Sequence, residues 1–168
     1  MNRWTYVIMA LLLVPVQTTW LTGIGLHSVK PNLVLLLIYF TGFYAAEMTG
    51  LAAGLGMGLV MDLLSGAPFG LHVATLAMAG LVSGLLGRFF LSTTVTLTMG
   101  MIFLLSVLNG ILVFCFHEWV LGRIPLAEAF QWTILPEALY NTVVGGIVFW
   151  AGVSRMNIQK AGTEPTPF

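Results

Sequence analysis

Apolar positions in this chain run in six stretches, and most of its few charges fall between them. Arg3 is followed by 26 residues without a charge before Lys30. That stretch, Trp4 to about Leu26, predicts a first membrane-spanning helix, because about 20 residues rising 1.5 Å each cover a hydrocarbon core of roughly 30 Å. It does not read as a cleaved signal: no small-x-small site follows Val7–Val14, and Trp20 stands where one would be sought. Pro31 opens a second run that ends before Glu47, and a third reaches Leu64. Ser65-Gly66-Ala67-Pro68-Phe69-Gly70 is a turn signal, and the fourth run beyond it stops at Arg88. A fifth occupies much of the charge-free stretch Phe89–Phe116, and the sixth begins near Pro136, a favoured residue in a first helical turn. The predicted spans are residues 4–26, 31–46, 49–64, 71–87, 94–120 and 136–154, in one all-α domain covering 1–155.

Runs two, three and four hold only 16 or 17 residues each, near the lower limit for crossing a bilayer. Six spans is the expectation, with a re-entrant hairpin of runs two and three as the alternative. Between the fifth and sixth, Leu126, Ala129, Phe130 and Thr133 share one face and Glu128 and Gln131 the other. This predicts a short helix lying in the outer interface. Residues 156–168, with Pro165, Pro167 and few apolar positions, read as a disordered tail.

Composition agrees with the pattern. The 168 residues include six acidic and six basic side chains, 7% charged, against roughly 25% in soluble domains. Hydrophobic residues make up 58%, with 19 glycines besides, and the mean hydropathy is +0.98. So much apolar surface must face lipid. One cysteine excludes a disulfide scaffold, and so few charges in so apolar a chain exclude a nucleic-acid binder living on a basic patch. With the N-terminus inside, Arg3, Arg88, Arg155 and Lys160 are cytoplasmic and Lys30 and Arg123 outside, which follows the positive-inside rule.

Polar groups at membrane depth are costly unless satisfied, so they mark candidate sites. Asp62 is the only Asp in the chain and ends the stripe Gly50, Gly54, Gly58, Asp62. Residues four apart share a helical face, and glycines so spaced admit another backbone closely. Asp62 should therefore meet a protein neighbour rather than lipid, either capping the following turn through Ser65, Gly66 or their amides, or binding a partner or ligand, with a proton relay as a further alternative. Glu137, Tyr140 and Asn141 form a polar strip at the start of the sixth run. Asn109 in the fifth run could meet Asn141 or the fourth helix. Gly80 and Gly84 make a second close-packing pair, and Cys115 reads as a small buried hydrophobe.

Catalytic motifs do not emerge. His117-Glu118 starts like a zinc-protease helix, but Leu121 stands where the second His belongs. His27, His72 and His117 form no ligand cluster. Ser65 and His72 lack a nucleophile motif, and no glycine-rich loop precedes a Lys-Ser or Lys-Thr. No enzyme, metal or cofactor is expected.

The ordered set of motifs is similar to the bacterial rod shape-determining MreD family. It comprises Lys30-Pro31-Asn32-Leu33, the glycine stripe running into Met61-Asp62-Leu63-Leu64-Ser65-Gly66-Ala67-Pro68-Phe69-Gly70-Leu71-His72, and Leu135-Pro136-Glu137-Ala138-Leu139-Tyr140-Asn141. The resemblance covers roughly Gln17 to Phe149. One departure is the turn Gly42–Glu47, often basic in that family and here without Lys or Arg. The resemblance implies a non-enzymatic inner-membrane member of the elongasome, which builds side-wall peptidoglycan and maintains rod shape. Its implied partner is MreC, with indirect links to the MreB filament and the glycan polymerase–transpeptidase pair. It also implies a six-helix fold like the substrate-binding subunit of vitamin uptake transporters. In such a fold Pro68, Gly70, His72, Glu137, Tyr140 and Asn141 would surround an outward pocket or groove. The leading expectation is that Gly50, Gly54, Gly58 and Asp62 seat the MreC transmembrane helix, with Asp62 or Asn141 bonding a polar group on it. A solute-binding transporter subunit is the alternative. Recognition of a lipid-linked wall precursor ranks lower, since Lys30 and Arg123 alone could meet its diphosphate. The glycine faces also leave self-association open.

Overall fold

The computed structural model describes residues 30–65, 68–90, 94–121 and 125–161, and Asn32 starts the first helix among them. Its side chain accepts the Leu35 N–H at 3.0 Å, satisfying one of the amides a helix leaves without an internal partner. Helix α1 (Leu33–Ala45) is apolar on every side, and Val34, Leu35, Ile38 and Tyr39 are buried, as such a helix requires. Its 13 residues extend about 20 Å, short of a hydrocarbon core.

A single residue, Ala46, joins α1 to α2 (Glu47–Ser65). Its φ of 123° is a conformation that side-chain-bearing residues rarely adopt. Helix α3 (Leu71–Phe89) begins after Gly70, whose φ of 98° is left-handed and open to glycine without a Cβ clash. Helix α4 (Val95–Leu121) follows, then the single turn α5 (Leu126–Ala129), a π turn over Phe130–Ile134, and α6 (Leu135–Ala161). All regular structure among the described residues is helical.

Two expectations change here. The segment predicted to lie in the interface instead runs straight into α6, so Pro136 sits inside a continuous helical rod rather than at its start. A proline ring crowds the carbonyl four residues back and offers no N–H. The π turn just before it, closed by the Leu135 N–H on the Phe130 carbonyl, widens the helix by one residue and absorbs that conflict. At the other end α6 continues through Ala161, into the segment read as disordered. The predicted first span, residues 4–26, with Arg3, and residues 162–168 of the predicted tail lie outside the described residues, as does Arg123.

Among the described residues four helical stretches are long and apolar enough to cross a membrane: α2, α3, Val95–Phe116 and Leu126–Gly152. Trp132 and Trp150, both exposed on the last of these, stand 18 residues or about 27 Å apart. That spacing suits interfacial tryptophans on the two sides of a bilayer. Leu59, Leu63, Leu104, Val143 and Ile147 are exposed on the outside of the bundle, where lipid replaces a packing partner. Cys115 is exposed as well, correcting the expectation of burial: in a membrane helix an apolar position faces lipid as readily as protein.

Inside, α1, α2 and α3 pack as one set and α4 with α6 as another, with α3 meeting α4. The core joins Ile38, Tyr39, Met57 and Leu76 of the first set to Ile102 and Leu105 of α4. The Tyr39 hydroxyl lies 3.6 Å from the Met101 sulfur across this seam.

Candidate functional site

Glycine decides how near α2 and α3 come. A Cβ on Gly50, Gly54 or Gly58 would fall within 3.0 Å of α3 backbone, at Gly80, at Leu76 and at His72–Val73 respectively. Gly80 returns the contact on Gly50, and Gly84 lies against Glu47. The face that the spacing marked for another protein's helix is thus occupied by α3 of the same chain. The second pair, Gly80 and Gly84, is used in the same seam.

This approach brings Asp62 to the start of α3. Its side chain is fully buried and accepts four hydrogen bonds from the described residues: from the backbone N–H groups of Gly70 (2.9 Å), His72 (2.9 Å) and Val73 (3.1 Å), and from His72 Nδ1 (2.8 Å). Gly70 offers no side chain to cap α3, so the carboxylate of the preceding helix does so, where the helix dipole also favours negative charge. Asp62 meets protein and caps the turn, through the amides of Gly70, His72 and Val73.

A second polar tie crosses the bundle. Asn141 is fully buried. Its amide oxygen accepts the Asn32 N–H at 2.6 Å and its amide nitrogen donates to Ser106 Oγ at 3.2 Å, fastening the start of α1 to α4 and α6. Asn109 is not its partner. It lies one turn further along α4.

Asn109 instead lines a cavity of about 290 Å³ at the end of the bundle where α2 stops and α3 and α6 begin. His72 and Thr75 contribute from α3, Asn109 and Phe114 from α4, Thr133 from the π turn and Glu137 from α6, with Asn32 beside them. The Asn32 side chain hydrogen-bonds Glu137. Of the six residues predicted around an outward pocket, His72 and Glu137 line this cavity. Pro68 and Gly70 belong to the turn that Asp62 caps, and Asn141 is in the core. Tyr140 borders a shallow depression with Pro136, Leu139 and Val143. It sits about 60° round α6 from Glu137 at 3.6 residues per turn, enough to turn it out of the cavity.

Asn32, Thr75, Asn109 and Phe114 were not assigned to the pocket from sequence. Asn109 carried the available signal, a carboxamide deep in an apolar run. Among the described residues no group of three or more His, Cys, Asp or Glu side chains could hold a metal ion. The arrangement offers hydrogen-bond acceptors and an apolar wall, which suits binding.

A family model described as rod shape-determining protein MreD matches residues 1–154. No curated protein and no solved structure matches the chain.

Proposed function

The chain belongs to the MreD family of rod shape-determining proteins, and from that premise we propose that it is a non-enzymatic scaffold of the bacterial cell-elongation complex. It sits in the inner membrane with both termini cytoplasmic and receives the single transmembrane helix and adjoining segment of MreC. Through that contact it supports side-wall peptidoglycan synthesis alongside the MreB filament and the glycan polymerase–transpeptidase pair. The observation that carries this reading is the extent of the family match, which spans every described helix as far as residue 154.

With the glycine stripe filled by α3, its contribution is indirect. Gly50, Gly54 and Gly58 hold α2 on α3, Asp62 locks the turn, and the partner is taken at the cavity end, around His72 and Glu137. Packing supplies most of the affinity, since interhelical hydrogen bonds in membranes average only ~0.6 kcal/mol.

A second reading, a solute-binding subunit of an uptake transporter, has the cavity in its favour. Capture of the tagged full-length chain from native membranes separates the two. A one-span protein with a large periplasmic part, MreC, is the expected companion. A soluble nucleotide-driven pump module in its place would replace the scaffold reading with the transport one.

A further inference from the structure

We propose that the cavity between α3, α4 and α6 binds a positively charged, donor-rich head, an ammonium or guanidinium group on a short apolar stem. Its walls offer acceptors in surplus. Thr75 already donates its hydroxyl proton to the Leu71 carbonyl at 3.0 Å, so its hydroxyl has only lone pairs left to offer. His72 Nδ1 bonds Asp62 at 2.8 Å; because a carboxylate only accepts, that nitrogen carries a proton, and in the neutral form of the ring Nε2 is an acceptor. Glu137 brings a carboxyl group.

Asn109 supplies the independent sign of a missing partner. It is 6% exposed, and its amide oxygen has no hydrogen-bond partner among the described residues. Buried polar atoms are rarely left so in proteins. A ligand N–H reaching this oxygen, with its charge near Glu137, would satisfy both. Leu76, Val113 and Ile134 provide the apolar wall for a stem, and Phe114 a ring face for a cation. Among the described residues neither Lys nor Arg lines the cavity, so its described walls hold no cationic partner for a phosphate head. About 290 Å³ is at the small end of ligand sites, roughly 300–1,000 Å³, and fits a head group with a few carbons.

Such a head can arrive on a free amine or on a Lys or Arg side chain of a partner polypeptide. The site rests on the cavity's chemistry; only the second source rests on the function proposed above. The test uses the full-length chain in lipid nanodiscs, with thermal unfolding followed against n-butylammonium, n-butylguanidinium and butyrate. The cations should raise Tm saturably and butyrate should not. Asn109→Leu and Glu137→Gln should each weaken the response by about tenfold, the cost of one charge-assisted hydrogen bond. Asn109→Asp, which adds a negative acceptor, should tighten it and serves also if Asn109→Leu does not fold. Capture from native membranes is run in parallel on the same variants. A variant-sensitive cation response assigns the site to a free amine; loss of a co-purifying protein in the folded variants, without a cation response, assigns it to a partner's side chain. Butyrate acting as well as the cations, a cation response equal in wild type and all variants, or no cation response with unchanged co-purification would overturn the proposal.

Discussion

The backbone N–H and the ring Nδ1 of His72 both bond one oxygen of Asp62, at 2.9 and 2.8 Å. The second oxygen takes the N–H groups of Gly70 and Val73. Both oxygens are thus committed to donors, and the carboxylate holds the end of α2 to the first turn of α3. Asp62→Asn keeps the size but turns one of the two atoms into a donor, facing N–H groups. It should cost about 2 kcal/mol, read as a lower midpoint of thermal unfolding in detergent. His72→Ala removes only the ring bond and should cost less. An Asp62→Asn protein that unfolds at the wild-type temperature would refute the capping role.

Gly54 and Gly56 are two residues apart on α2 and should respond in opposite directions. A Cβ at Gly54 meets the Leu76 carbonyl and the Ala77 Cα within 3.0 Å, all backbone, whereas one at Gly56 meets nothing within 4 Å. Backbone cannot swing aside, so Gly54→Ala must push α2 off α3 and should lose about 1–3 kcal/mol, the usual range for overpacking. Gly56→Ala should stabilise by up to about 1 kcal/mol through helix propensity. Melting both variants beside wild type decides the matter: equal shifts would mean that the seam is looser than the geometry requires.

Ala46 is the hinge of the α1–α2 hairpin and the one non-glycine residue with positive φ among those described. Conformations of this kind cost of order 1–3 kcal/mol, and glycine adopts them freely. Ala46→Gly should therefore raise the unfolding midpoint, with a net gain of about 1 kcal/mol after the larger entropy loss of a glycine on folding. Ala46→Val should lower it. If glycine also lowers it, the turn relaxes in solution to a conformation that alanine accepts.

What the chain's own residues determined is its local order. Runs of apolar side chains punctuated by Glu47, the Pro68-Phe69-Gly70 turn and Arg88 mark α1 to α4 to within two residues of their ends, because helix length and solvent preference are properties of neighbouring residues. The ordered motifs also pointed to the MreD family, as the match over residues 1–154 bears out. The period of four likewise put Gly50, Gly54, Gly58 and Asp62 on one face. Which helix would meet that face was decided only by the tertiary structure. The short link from Ser65 to Leu71 joins α2 to α3, and the glycines admit α3 against that face. The same holds at the other polar positions. Asn141 pairs with Asn32 and Ser106 rather than Asn109, and Tyr140 turns away from Glu137, because small rotations about packed helices select partners far apart in sequence. Periodicity states which residues share a side; the packing of distant segments sets what stands opposite.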